Sequence, residues 1–168
     1  FRPDQKQTWL KWRQGTNLFD TEFIDLLKKL NCYIFFAELF YTPPKQRMLW
    51  HIDTGVASDF IKINFVWGSK NHVMQWGHPI SQQDKEIKTT MAGNQYLHYD
   101  DHEVDIVAET VIEHPTIVNI GSPHSVINSG SIPRWCLSVN IYQDGNRISF
   151  NEAVRLFSEY ALDSEEPC

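Results

Sequence analysis

Four side chains that bind metals or anions stand at informative positions in this chain: His51, Asp53, His124 and Arg134. Because neighbouring side chains of a β-strand point to opposite faces, His51 and Asp53 lie on one face if their segment is extended. The distant imidazole of His124 would complete a set of two histidines and one carboxylate. Such a set holds non-heme Fe(II) on one side and leaves adjacent positions open, which is typical of oxygenases. We therefore predict these three residues as metal ligands of a catalytic centre.

Arg134 suits a different task. Its guanidinium stays charged and donates two parallel hydrogen bonds to a carboxylate, so it can anchor a dicarboxylate in a partly buried site. A metal-binding histidine must be neutral, with its other ring nitrogen held by an acceptor, and the sequence does not identify that acceptor.

Alternating side chains and turn residues predict a mainly β chain. Predicted strands cover 32–41, 48–54, 60–67, 72–76, 104–113, 115–120, 125–128 and 134–142. The polar segment 79–103 is predicted to form long loops around one short extended piece. About eight short strands favour a β-sandwich or barrel, of which a jelly roll fits best.

Two amphipathic helices are predicted to flank these strands. The first covers 21–30, with Asp20 or Thr21 as its N-cap. The second follows the capping-box pattern of Ser149 and Glu152 and extends to 162.

Composition limits the function classes. At 168 residues the whole chain, 1–168, is expected to form one domain. The formal net charge is −6 and no run of basic residues exceeds Lys28-Lys29, which argues against nucleic acid as a partner. Three cysteines do not indicate a disulfide framework, and no apolar stretch is long enough for a bilayer. The first residues do not show the basic and apolar regions that are typical of a signal peptide. We therefore expect a cytoplasmic protein without membrane association.

The set His51, Asp53, His124 and Arg134 resembles that of the Fe(II)/2-oxoglutarate-dependent oxygenases, with a matched core of about 48–142. In that family the H-x-D pair lies on or just after the second core strand. The distal histidine opens the seventh strand, and a basic residue on the eighth binds the far carboxylate of 2-oxoglutarate. Each feature has a counterpart here, in the same order.

The resemblance implies a double-stranded β-helix, and it implies Fe(II), 2-oxoglutarate and dioxygen as cofactor and co-substrates of a hydroxylase. The substrate would be a protein or peptide side chain or a small metabolite. Asp53 argues against the halogenating branch, which has a small residue at that position. Asn64 is a further candidate for co-substrate binding, since relatives often place a polar residue on the strand after H-x-D. Cys136 departs from the family, because many relatives have serine there.

Other interpretations stay open. His51 and His124 could be core histidines, Asp53 a turn cap and Arg134 a solvated residue. Two rival functions are a cupin-like metalloenzyme without 2-oxoglutarate and a metal-free β-sandwich binding module. The remaining histidines are interpreted as loop, surface or packing residues: His72, His78, His98, His102 and His114.

Overall fold

The computed structural model describes residues 8–13, 18–53, 59–81, 85–90 and 93–161. Its strands are β1 (Thr8–Arg13), β2 (Cys32–Thr42), β3 (Gln46–Arg47), β4 (Trp50–Ile52), β5 (Ile61–Gly68), β6 (His72–Pro79), β7 (Ile87–Thr89), β8 (Gln95–Tyr99), β9 (Val104–Thr110), β10 (Thr116–Asn119), β11 (His124–Asn128), β12 (Arg134–Gln143) and β13 (Asn146–Arg147). Its α-helices are α1 (Thr21–Lys29) and α2 (Phe150–Phe157). No helix in this described part is long and apolar enough to cross a membrane.

The strands form two antiparallel sheets. One has the order β1-β2-β12-β5-β10, with β13 added beside β12, and the other the order β7-β8-β4-β11-β6-β9, with β3 added beside β11. Eight of the strands form a jelly roll, because the chain alternates between the two sheets in the order typical of that fold. They are β2, β5, β10 and β12 in the first sheet and β4, β6, β9 and β11 in the second. The chain is therefore a mainly β protein with a double-stranded β-helix. Its first core strand is β2, which lies before the matched segment 48–142.

The first sheet has an apolar outer face, which the helices cover. Ile34, Ile61, Val139 and Ile141 lie in one buried cluster with side chains of both helices, including Leu27. Asp20 caps α1 and Ser149 caps α2, since their side chains accept hydrogen bonds from the backbone N–H groups of Phe23 and Glu152. Both predicted helices are confirmed, although α2 ends at Phe157 and a 3-10 turn, Ser158–Tyr160, follows it.

The opposite face of this sheet is polar and looks into the barrel. Glu38, Asn64 and Ser138 are paired side by side on β2, β5 and β12, and all three are buried. Burying polar groups costs free energy unless they find partners. These three side chains therefore need polar partners inside the barrel.

The structure corrects two strand predictions. The segment predicted as a strand over 48–54 forms a strand only over Trp50–Ile52, and Thr54 lies outside the described residues. The segment 79–103 contains two strands, β7 and β8, instead of one extended piece. β8 pairs with β4, so backbone pairing compensates for its weak pattern.

Candidate metal centre and adjoining cavities

His51, Asp53 and His124 come together in the interior of the barrel. His51 is the central residue of β4, Asp53 directly follows this strand, and His124 opens the neighbouring strand β11. His51 and His124 are register partners, and their ring centroids are 4.3 Å apart. The potential ligand atoms of the three side chains all lie within 4.8 Å of one another.

Backbone carbonyls fix the orientation of both imidazoles. Nδ1 of His51 lies 2.7 Å from the carbonyl oxygen of Leu49, and Nδ1 of His124 lies 2.9 Å from that of Ser122. Because a carbonyl can only accept, Nδ1 is the donor nitrogen of each ring, and in the neutral form of such a ring the lone pair is on Nε2. These carbonyls are the acceptors that a metal-binding histidine needs, and they come from the residue two positions earlier.

A buried lysine holds the third side chain of the group. Lys62 donates to Oδ2 of Asp53 at 2.8 Å and to Oε2 of Glu38 at 3.1 Å. Burial opposes the charge of Lys62, but the attraction of the two carboxylates outweighs burial and raises the pKa of the ammonium above its usual value. The other oxygen of Asp53, Oδ1, lies 3.3 Å from Nε2 of His51.

The donor set fits a divalent transition metal. Two imidazoles and one carboxylate provide the nitrogen and oxygen ligands that Fe(II) and similar ions accept. Ligand atoms about 2.1 Å from one ion lie at most about 4.2 Å apart, so a separation of up to 4.8 Å needs only small side-chain rotations. The three predicted ligands thus form a group that could hold a metal ion.

Arg134 lies in the same cavity as the two histidines. This inner cavity has a volume of about 40 Å³, and its lining includes His51, Asp53, His124 and Arg134. Arg134 is only 2% exposed, and its Nε and Nη2 atoms have no hydrogen-bond partner. Burial lowers the pKa of its guanidinium, with an opposing contribution from neighbouring Cys136.

Asn64 and Cys136 also line the inner cavity. Asn64 accepts a 2.6 Å hydrogen bond through Oδ1 from the hydroxyl of Ser138, which lies opposite on β12. Burial raises the pKa of the Cys136 thiol, so it faces the cavity as a neutral group. The roles of Asn64 in co-substrate binding and of the three ligands in metal binding stay predictions.

A second, larger cavity opens beside Asp53. This outer cavity has a volume of about 460 Å³, and its lining includes Glu38, Lys62, Tyr96, Asn140 and Arg147. Asp53 and Ile120 line both cavities. The candidate metal centre is therefore located between a narrow compartment with a buried cation and a wider polar compartment.

The other histidines lie apart from this group. His98 is the register partner of His51 on β8, but its Nδ1 faces the carbonyl oxygen of Trp50 and its Nε2 faces Asp100. His72 is buried, with Nδ1 against the carbonyl of Ser69, and burial lowers the pKa of its imidazole.

Sequence reasoning missed several residues that line the two cavities. Lys62 lies two residues before Asn64, so the alternation of β5 already placed both on one face. In the same way, Ser138 and Asn140 continue the face of Arg134 and Cys136 along β12. No comparable signal marks Arg147, whose place depends on the turn from β12 to β13.

Comparisons with known proteins describe the fold more than the function. No protein-family model and no curated protein matches the chain. Among solved structures, CapF with the inhibitor 3-isopropenyl-tropolone is similar at 9% identity, 67% coverage of this chain, 27% of that chain and a TM-score of 0.32. Oxalate decarboxylase from Bacillus subtilis at pH 4.6 is similar at 11% identity, 98% coverage, 35% of that chain and a TM-score of 0.36.

With TM-scores of 0.32 and 0.36, these two structures assign no superfamily to the chain. The chain spans 27% of the length of the CapF chain and 35% of the length of the oxalate decarboxylase chain. At this level of similarity they assign no activity to the chain, so a functional proposal has to depend on the site.

Proposed function

We propose that this protein is an Fe(II)- and 2-oxoglutarate-dependent dioxygenase that hydroxylates its substrate. The observation that carries the proposal is the state of Arg134. A guanidinium that is 2% exposed, with two unpaired nitrogens, borders the cavity of the His51, Asp53 and His124 group. Unpaired buried donors cost about 1 to 3 kcal/mol each, and a bound carboxylate would remove that cost.

The residues have separate tasks in this proposal. His51, Asp53 and His124 would hold Fe(II), which supplies dioxygen activation coupled to the oxidative decarboxylation of 2-oxoglutarate. Arg134 would bind the far carboxylate of the co-substrate with paired hydrogen bonds. Lys62 fixes Asp53 through Oδ2, which leaves Oδ1 beside Nε2 of His51, and these two atoms would serve as metal ligands. Asn64 and Ser138 would contribute polar contacts in the inner cavity.

The narrow inner cavity favours a second candidate. Its volume of about 40 Å³ is small for a five-carbon dicarboxylate unless its walls adjust. Met48 and Met74 line it, and unbranched methionine side chains change shape readily. If they do not move, the site would take a shorter carboxylate, as in a cupin-like metalloenzyme that works without 2-oxoglutarate.

Anaerobic titration separates the two candidates. Fe(II) is added first and then 2-oxoglutarate or oxalate, while the weak visible charge-transfer band of a 2-oxoglutarate complex and the heat of binding are recorded. The dioxygenase proposal expects the band, saturable 2-oxoglutarate binding and release of succinate after oxygen is admitted. Saturable binding of oxalate without binding of 2-oxoglutarate would favour the cupin-like candidate.

A ligand variant tests the metal centre itself. Asp53→Ala removes its only carboxylate ligand and should weaken metal binding by roughly 100-fold or more, since outer-shell changes alone cost 10- to 100-fold. Asp105→Ala, at an exposed carboxylate on β9, is the matched control and should bind metal normally. Equal metal affinity of Asp53→Ala and the wild type would refute the centre.

A further inference from the structure

The outer cavity has the size and position of a substrate site. Its volume of about 460 Å³ is within the range of roughly 300 to 1,000 Å³ that small-molecule sites occupy. Asp53 forms part of its wall, so a molecule bound there lies next to the candidate metal centre. Its walls come from both sheets, with Lys62 and Asn140 on one and Tyr96 on the other. A ligand in this cavity would therefore contact both sheets.

One wall carries a buried donor that lacks a partner. Asn140 is 3% exposed, and its Nδ2 atom has no hydrogen-bond partner. The side chain lies on the polar face of β12 and lines the outer cavity. Buried amide groups in proteins are nearly always paired, so an unpaired one that borders a cavity indicates an acceptor on a ligand.

The lining of this cavity has two carboxylates and two cations, and Arg147 is the charged group of these four that stands outside the ion pairs. Glu38 is paired with Lys62 and with the amide of Asn94, and Asp53 is also paired with Lys62. Arg147 donates through Nε to the hydroxyl of Tyr142 at 3.2 Å and stacks on Phe60, with its guanidinium carbon 5.0 Å from the ring centroid. Among the described residues, no carboxylate forms an ion pair with Arg147.

From these contacts we propose that the outer cavity binds the molecule to be oxidised, and that this is a small carboxylic acid. The guanidinium of Arg147 binds the carboxylate of this acid, and Nδ2 of Asn140 donates a hydrogen bond to a second oxygen of the same molecule. This inference rests on the proposed function for the reaction. One atom of dioxygen enters a C–H bond of the acid as hydroxyl and the other enters succinate. Of the four electrons that reduce dioxygen, 2-oxoglutarate supplies two as it loses carbon dioxide, and the C–H bond of the acid supplies the other two.

The proposal is tested by comparing the binding of acids with that of their amides. The protein is saturated with Mn(II) and 2-oxoglutarate and kept free of oxygen. The probes are small acids and their primary amides, from acetate and acetamide to phenylpropionate and phenylpropionamide. Binding is measured by ligand-observed NMR and thermal shift. We expect acids of at least one pair to bind and the amides not to. Arg147→Gln should weaken that acid roughly tenfold or more, the loss of one charge-assisted hydrogen bond.

Two variants complete the test. Asn140→Asp places a negative charge opposite the ligand and should also weaken acid binding. Arg155→Gln, at an exposed arginine on α2, is the matched control and should bind like the wild type. Equal binding of acids and amides, no binding by any acid, or an unchanged affinity in Arg147→Gln would overturn the proposal. Stronger binding of a blocked aspartyl peptide than of any free acid would overturn it as well.

The same samples show which proposal fails. Binding of 2-oxoglutarate is measured separately by calorimetry on the wild type and on Arg134→Met. Acid binding that persists in Arg134→Met and is lost in Arg147→Gln supports the outer site even if 2-oxoglutarate does not bind. Acid binding that is lost in Arg134→Met and kept in Arg147→Gln assigns the acid to the inner cavity and refutes the outer site.

Discussion

Arg134 combines an unfavourable contribution to stability with a strong capacity for binding. Its buried guanidinium has two unpaired nitrogens, so the fold bears a desolvation cost that an anion would offset. Residues of this kind are common at functional sites, where stability is lower than the fold permits.

Arg134→Met should therefore act in opposite directions on stability and binding. Without ligand, we expect the free energy of unfolding to rise by on the order of 1 kcal/mol, because the unpaired donors are gone. At a 2-oxoglutarate concentration of 100 times Kd, binding should raise the free energy of unfolding of the wild type by about 2.7 kcal/mol. The same concentration should raise that of the variant far less. Denaturant unfolding with and without 2-oxoglutarate measures both effects.

Arg134→Lys is the graded comparison for this prediction. It keeps the charge and loses the paired donors, so it should retain part of the 2-oxoglutarate binding. Equal stabilisation of wild type and Arg134→Met by 2-oxoglutarate would contradict the role of the guanidinium.

Lys62 is the second residue whose substitution gives a clear expectation. Lys62→Met leaves Asp53 and Glu38 buried without their common cation, which should destabilise the metal-free protein by about 3 to 5 kcal/mol. A bound divalent cation should recover part of this loss, because it neutralises Asp53. Urea unfolding with and without Mn(II) measures the two values.

Lys28→Met is a suitable control because Lys28 pairs with Asp25 on the exposed face of α1. It should change stability by less than about 0.5 kcal/mol. Glu38→Gln in the Lys62→Met background should restore some stability, since one unpaired carboxylate is then neutral. If Lys62→Met were as stable as Lys28→Met, the buried ion pairs would not hold the site.

At the scale of elements, the end of β5 fixes the start of β12. Gly68 has φ of +93° and is the register partner of Arg134. A Cβ atom at Gly68 would lie 2.3 Å from the carbonyl oxygen of Pro133, closer than such contacts allow. The close approach of these strand ends therefore requires glycine and determines where Arg134 enters the barrel.

Gly68→Ala should destabilise the protein and weaken 2-oxoglutarate binding together. The left-handed backbone costs an alanine about 1 to 2 kcal/mol, and the contact with Pro133 adds to this. Gly145→Ala is the control, since Gly145 has φ of +82° but nothing within 4 Å of the added Cβ. Thermal unfolding and calorimetric titration should show a larger loss of stability for Gly68→Ala, and a loss of affinity only there.

For the whole molecule, the buried cysteines affect stability in alkali. Burial raises the pKa of the Cys32 thiol to about 11 from 9.0, and it raises the pKa of Cys136 as well. A group with a raised pKa in the folded state contributes stability that is fully present below its unfolded pKa. That stability is lost as the pH rises through the folded value. The window for Cys32 is therefore about pH 9 to 11.

Cys32→Ala should flatten the stability curve in this window. We expect the free energy of unfolding of the wild type to fall between pH 9 and 11, and that of the variant to fall less steeply. Urea unfolding at a series of pH values under reducing conditions measures the slopes. Parallel curves for the two proteins would contradict the prediction, whatever their offset at neutral pH.

The sequence by itself determined the two helices, most strands and the jelly-roll class, because caps and alternation are local properties. It also indicated that His51, Asp53 and His124 would meet, since an i, i+2 pair on a strand shares a face and the resemblance supplied the third residue. The order of these residues and Arg134 along the core strands agrees with that expectation.

Only the tertiary structure decided what surrounds these residues. Strand register decides which carbonyls orient the two imidazoles. Side-chain packing decides that Lys62 lies between Asp53 and Glu38. The strand β8 shows the same limit, because its partner β4 stabilises a segment whose own pattern is weak. Asn140 and Arg147 line one cavity because the chain turns between β12 and β13 and because the two sheets face each other. Contacts between residues far apart in sequence are not encoded in any local pattern, so folding is needed to reveal them.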